Sequence, residues 1–261
     1  MVGTKITYKS LGTNPDGDNR INLKNVPRVS SKKEMRQALA DPSIHFMKIT
    51  DHEIFAINKL TYKKKPFLLL EPNPVTFYYS IAYDLIPQIE AARKQIEIYL
   101  NAEIGGSKEK ERILQVRYSY VFKVASIGVI FSFSALEAFM NQQLPDYAGI
   151  EFNGKLLTKD DIQRWTPFGD KLQKIIPKLT GRNFCELHPT KATTIKKLKE
   201  LRDELIHLKQ KRKDGLTFYN EIYQDMLNLN LKRIVSTVKA FVNFYHPKLI
   251  QNYKYQPQAK K

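Results

Sequence analysis

The chain has 261 residues, 42% of them apolar, enough to bury a real core as one large domain or as a domain with an appendage. Glycine and proline are few and Cys185 is the lone cysteine, which argues against wholesale disorder and excludes an internal disulfide framework. Lys and Arg number 43 against 26 Asp and Glu, a net charge of +17; an excess of this size points to a polyanionic partner (RNA, DNA or an anionic membrane surface), or else to a generally basic soluble protein.

The N-terminus, MVGTKITYKS, lacks the apolar segment of a secretory signal, so a cytoplasmic location is expected. LGTNPDGDNR clusters turn-forming residues. In SKKEMRQALA, Ser31 and Glu34 have capping-box spacing and predict a short helix. HFMKIT, EIFAIN and PFLLLEP read as short strands separated by polar breaks. Residues 1–72 are therefore expected to form a small mixed α/β or β subdomain, closed by EPNPV.

From Val75 the apolar residues recur at three- and four-residue steps, as on one face of a helix. One long helix is predicted from about residue 75 to the break at Gly105–Ser107, with Pro87 kinking it or marking its start. A second runs from about Lys108 to Leu144. Its uncharged segment, Val124–Leu136, is too short to span a bilayer, and no membrane association is expected. Asn153-Gly154 between short apolar runs predicts a tight hairpin, inserted between helices. DDIQRW opens a helix expected to continue through GDKLQKIIPKL to Gly181. A third major helix is predicted over about Thr193–Lys213, ending at Asp214-Gly215, and a fourth over about Thr217–Tyr245. Residues 248–261 read as a basic tail. The expected fold is mainly α: a helical bundle over residues 73–247 carrying the hairpin, preceded by the small subdomain.

No Cys/His pair stands at ligand spacing, and HExxH, the Walker glycine loop and a serine-nucleophile elbow are missing. No metal and no cofactor are expected. In the third helix, Ile195, Leu198, Leu201, Leu205, Ile206 and Leu208 fall in one broad apolar arc. Arg202 projects inside that arc, where a charge needs a partner. His207 lies about 140° round from it on an ideal helix. Either the helix is distorted there or the site is completed from outside. Two plainer roles remain open, an exposed His207 and an ordinary ion pair of Arg202 with Glu137 or Asp203. Lys209, Lys211, Arg212 and Lys213 follow at once, as a solvated helix end or as phosphate contacts.

Arg202-Asp203-Glu-Leu-Ile-His207 resembles the Arg-x4-6-His motif of HEPN-domain proteins, with a polar residue after the arginine. Ser134-Ala-Leu-Glu137-Ala-Phe-Met-Asn141, in the preceding long helix, is similar to the Ser-x-x-Glu-x-x-x-Asn pattern of the same proteins. A second match, Arg182 to His188, is bracketed by Gly181 and Pro189 and reads as a loop. The resemblance covers roughly Val75–Tyr245 and implies an up-and-down four-helix bundle. It also implies a metal-independent endoribonuclease, with Arg202, His207, Asp203 and Glu137 in the site and the basic run on RNA. A homodimer would face two copies of the motif across a two-fold cleft. A toxin-like or antiviral setting and a regulatory or antitoxin partner would go with that. The alternative is a non-catalytic HEPN-like dimer that binds nucleic acid or protein.

Overall fold

A computed structural model describes residues 8–10, 31–41, 46–50, 53–102, 107–145, 149–208, 212–213, 216–217 and 219–251. The described chain is mainly α, and it divides into two compact units, Thr4–Asn73 and a unit that begins at Pro74. The turn-rich segment at residues 11–20 lies outside the described residues.

In the first unit, β1 (Tyr8–Ser10) and β2 (Phe46–Thr50) flank the start of β3 (Glu53–Tyr62), both antiparallel to it. The far half of β3, from Ile57, pairs with β4 (Lys65–Leu70) instead, so the two run on as a ribbon past the other strands. Helix α1 (Lys32–Ala40) starts at Ser31, whose hydroxyl accepts from the Glu34 N–H while the Glu34 carboxylate accepts from the Ser31 N–H, a complete capping box.

The second unit is built on one long helix. Helices α2 (Pro74–Asp84) and α3 (Ile86–Asn101) meet at Leu85, so the single helix expected from residue 75 is two. Pro87 sits in the first turn of α3, where its missing N–H has no helical partner to lose. Helix α4 (Ser107–Gln142) spans 36 residues, about 54 Å at the helical rise. It buries Val124, Ala125, Val129, Phe133, Leu136, Phe139 and Met140. By length and composition the Lys108–Gln142 segment could cross a membrane, but half of its most apolar stretch is buried within the protein.

The inserted hairpin is β5 (Ile150–Phe152) and β6 (Lys155–Leu157), turned by Asn153 and Gly154 at φ 50° and 73°. The helix expected from DDIQRW to Gly181 is instead a broken run. It consists of α5 (Lys159–Trp165), α6 (Phe168–Asp170), a π-helical turn (Lys171–Ile175) and α7 (Ile176–Thr180), closed by Gly181 at φ 65°. The turn brings Lys171 inside at 5% exposure, its Nζ donating to the Gln163 carbonyl. The segment expected to be a loop at residues 182–188 contains a one-turn helix, α8 (Phe184–Leu187), begun by the Asn183 side chain.

Helix α9 (Pro189–Ile206) ends seven residues before the expected Lys213. The following residues go to a second hairpin, β7 (Arg212–Lys213) paired with β8 (Leu216–Thr217), and Asp214-Gly215 falls between the two strands. The fourth expected helix is also two, α10 (Asn220–Leu227) and α11 (Leu231–Tyr245). Arg93 of α3 donates to the Met226 and Leu229 carbonyls and so satisfies the end of α10, while the Asn230 side chain caps α11. Residues Ile234, Val235, Val238, Phe241 and Val242 form the buried stripe of α11. Gly128 of α4 admits this helix closely: a Cβ there would lie 2.8 Å from both methyl groups of Leu231. α4 packs against α2, α3, α9, α10 and α11 around one core. Leu249 and Ile250, within the tail expected from residue 248, join that core.

Candidate functional site at the end of helix α9

Helix α9 presents Ile195, Leu198 and Leu201 to the core, and this phase decides what the next residues meet. Arg202 follows Leu201 directly and leaves the helix at the margin of the buried stripe. Its side chain retains 32% exposure. The guanidinium carbon sits 4.9 Å from the ring centroid of Phe133 on α4, a cation–π contact that also shields its apolar stem. Nη1 donates to Asp203 Oδ1 at 3.0 Å. The other carboxylate oxygen of Asp203 accepts from Lys199, one turn earlier.

Asp203 is thus held between two cations. Its partial burial works to raise the carboxyl. The hydrogen bonds and charges of Lys199 and Arg202 outweigh that and keep it below the ordinary carboxylate value. The single hydrogen bond to Asp203 and the Phe133 ring together restrain the Arg202 guanidinium.

His207 takes the position where the helix stops. Its backbone is at φ −114° and ψ 51°, outside the helical region, and its N–H still donates to the Asp203 carbonyl at 2.9 Å. The side chain is exposed. A helix distorted at this point was one of two expectations from the 140° offset. What the chain does is end the helix there, which frees the imidazole from the fixed geometry of a wheel. Asp203, through its side chain on Arg202 and its carbonyl under His207, touches both candidate residues.

Of the two ion-pair partners expected for Arg202, Glu137 or Asp203, the structure shows Asp203, the plainer role left open by the sequence. Arg202 takes Asp203 as its ion-pair partner and Phe133 as its packing surface, one helical turn short of Glu137 on α4. Glu137 instead lies beside the buried Lys171 of the π-helical turn. Desolvation lowers the Lys171 ammonium, and the Glu137 charge partly restores it. Asn141, the last residue of the Ser-x-x-Glu-x-x-x-Asn element, buries its Oδ1 with no hydrogen-bond partner. Of the basic run, Lys209 and Lys211 lie outside the described residues. Arg212 and Lys213 are strand residues of β7 rather than the end of a helix.

Two participants were invisible to motif reading. Phe133 belongs to the apolar pattern of α4, and Lys199 to the lysine-rich face of α9. A third feature, a pocket of ≈ 300 Å³ beside Leu201, opens between α9 and the α10–α11 junction, with Lys197, Asp225, Asn228 and Arg233 on its rim. Among the described residues no group of three His, Cys, Asp or Glu side chains is placed to hold a metal ion. Comparison with family models, curated proteins and solved structures gives no match for this chain.

Proposed function

We propose that the protein is a metal-independent endoribonuclease built on a HEPN-like four-helix bundle, with Arg202 and His207 at its centre. The observation that carries this reading is the end of α9. A guanidinium is braced on Phe133 and Asp203 at the surface, and an exposed imidazole stands where the same helix ends. RNA brings its own nucleophile, so such a site has only to move protons and stabilise charge. His207 takes the proton from a 2′-hydroxyl, whose oxygen attacks the adjacent phosphorus. The bond from phosphorus to the 5′-oxygen breaks, and a second imidazole protonates that oxygen. The products are a 2′,3′-cyclic phosphate and a 5′-hydroxyl. Arg202 offers its fork to the phosphate oxygens as charge builds on them.

One copy supplies one imidazole at this helix end, and acid and base are needed on opposite sides of the phosphate. Two copies of the chain, related by a two-fold axis, provide both. Asp203 is the positioning residue for Arg202 in this scheme, and Glu137 is assigned to Lys171. The net charge of +17 suits an RNA substrate, and a regulatory partner would restrain a nuclease with a toxin-like or defensive role.

The test is incubation with single-stranded RNA in excess EDTA, alongside His207→Ala and Arg202→Ala. EDTA-resistant cleavage leaving 2′,3′-cyclic phosphate ends, and reduced at least about 100-fold in each variant, is the expected outcome. RNA that is retarded on a gel yet stays intact would favour the non-catalytic binding dimer instead.

A further inference from the structure

The ribbon formed by β3 and β4 carries a turn that its sequence does not favour. The register pairs Tyr62 with Lys65, so the connection is a two-residue loop, and its residues are Lys63 and Lys64. Both have positive φ, 48° and 65°. This is the turn that Asn-Gly makes easily, because a side chain beyond Cβ crowds the backbone at positive φ. A non-glycine residue in such a conformation is a strain that the fold sustains for some reason, and two in succession call for one. Here the strain places three consecutive lysines at the turn end of the ribbon.

The two faces of the ribbon differ. Cross-strand partners share a face, so Lys59 and Thr61 stand with Leu68 and Pro66, on the side of Ile57. On that side Ile57 is buried. The opposite face holds Leu60 against Phe67 and Tyr62 against Lys65, with Leu69 behind them. All four apolar residues are exposed there, Tyr62 at 67% and Phe67 at 41%. Tyr62 and Phe67 are diagonal neighbours about 7–8 Å apart by strand geometry. The Lys63 ammonium stands 5.4 Å from the Tyr62 ring centroid. From Ile54 to Leu70 the sequence has four lysines and no carboxylate.

We propose that this face of the β3–β4 ribbon binds single-stranded RNA, with bases stacked on Tyr62 and Phe67 and the backbone phosphates on Lys63, Lys64 and Lys65. Stacking on aromatic side chains with cations along the strand path is the physics by which single strands are held without sequence readout. Charge decides among the occupants of an exposed apolar face. A second copy of the ribbon would set lysine against lysine. An anionic bilayer would have to take the lysine tip first, since the aromatic residues lie behind it on one side. A flexible polyanion with apolar bases meets both features at once. The surface shares its partner with the proposed nuclease but rests on none of its residues, so each can fail without the other.

The experiment measures binding of the full chain to a fluorescein-labelled 12-mer of 2′-O-methyl uridine, which lacks the 2′-hydroxyl that cleavage requires. Tyr62→Ala with Phe67→Ala should weaken binding at least about ten-fold. Lys63→Asn with Lys64→Gly installs the favoured turn, so thermal stability should hold or rise while affinity falls. The dependence of log affinity on log salt should flatten by about 0.7 for each phosphate that the variant no longer neutralises. Undiminished affinity in both ribbon variants overturns the proposal. So does a wild-type chain that ignores the oligonucleotide but binds phosphatidylserine vesicles through this ribbon.

Discussion

Two places in this molecule carry an arginine followed closely by a histidine, and the fold treats them in opposite ways. Arg182 and His188 bracket the short helix α8 and both lie against the end of α11. Arg182 donates to the Phe244 carbonyl at 2.8 Å and lays its guanidinium 4.0 Å from the centre of the Phe244 ring. His188 packs on Phe184 at 4.9 Å and on Phe244 at 5.7 Å. These contacts cap a helix and fill an aromatic cluster, which accounts for both residues structurally. Arg202 is braced too, on Phe133 and Asp203, but the His207 side chain is exposed at a helix terminus. Near-equal spacing in sequence therefore says little about role. What separates the pairs is whether the surrounding side chains already occupy the histidine.

The largest expected effect falls on the structural pair. Phe184 is fully buried, meets the Phe241 ring edge-on at 5.1 Å, and donates its N–H to the Tyr245 hydroxyl. Phe184→Ala should cost about 3–5 kcal/mol in a denaturant titration, by reduced burial and the cavity left behind. If it costs far less, the cluster beneath His188 is not packed as described. Arg182→Ala should cost about 1–2 kcal/mol, the sum of one hydrogen bond to a helix-end carbonyl and one exposed cation–π contact. Its RNA-cleavage rate, measured at a temperature where the variant is folded, should match the wild type.

The smallest effect belongs to the other pair. Asp203 is held below its unfolded carboxylate value, so its contribution is present above about pH 4 and fades as pH falls through the lower folded value. Asp203→Asn should therefore cost stability at neutral pH, and the gap to wild type should close in acid. The gap should stay below about 1 kcal/mol, because Asp203 and its partners Lys199 and Arg202 are each about a third or more exposed. A difference that stays constant down to pH 2 would contradict the ion-pair account.

Much of the fold was legible wherever local chemistry and tertiary context agree. The Ser31–Glu34 capping box and the Asn153-Gly154 turn are local devices, and each forms as its residues dictate. The α4 core segment is legible because burial requires an apolar run. Element ends were harder. Helix α9 stops at Ile206, and Arg212 and Lys213 pair instead with Thr217 and Leu216, a contact that helical periodicity does not announce. The break before α11 depends on Arg93, more than 130 residues away in sequence. The same holds at the site. Arg202 and His207 stand out by residue type, but a helix-to-helix contact one turn off puts Phe133, not Glu137, under the guanidinium. That choice depends on how α4 and α9 slide against each other, which periodicity does not encode.

The central claim is that His207 meets no side-chain partner among the described residues where His188 is structurally committed, and a single comparison addresses it. Wild type, His188→Ala and His207→Ala are each given the same single-stranded RNA in excess EDTA, at a temperature where all three are folded. The account predicts that wild type and His188→Ala cleave at similar rates, while His207→Ala is slower by at least about 100-fold. Equal rates for wild type and His207→Ala, or no EDTA-resistant cleavage by the wild type, would contradict it.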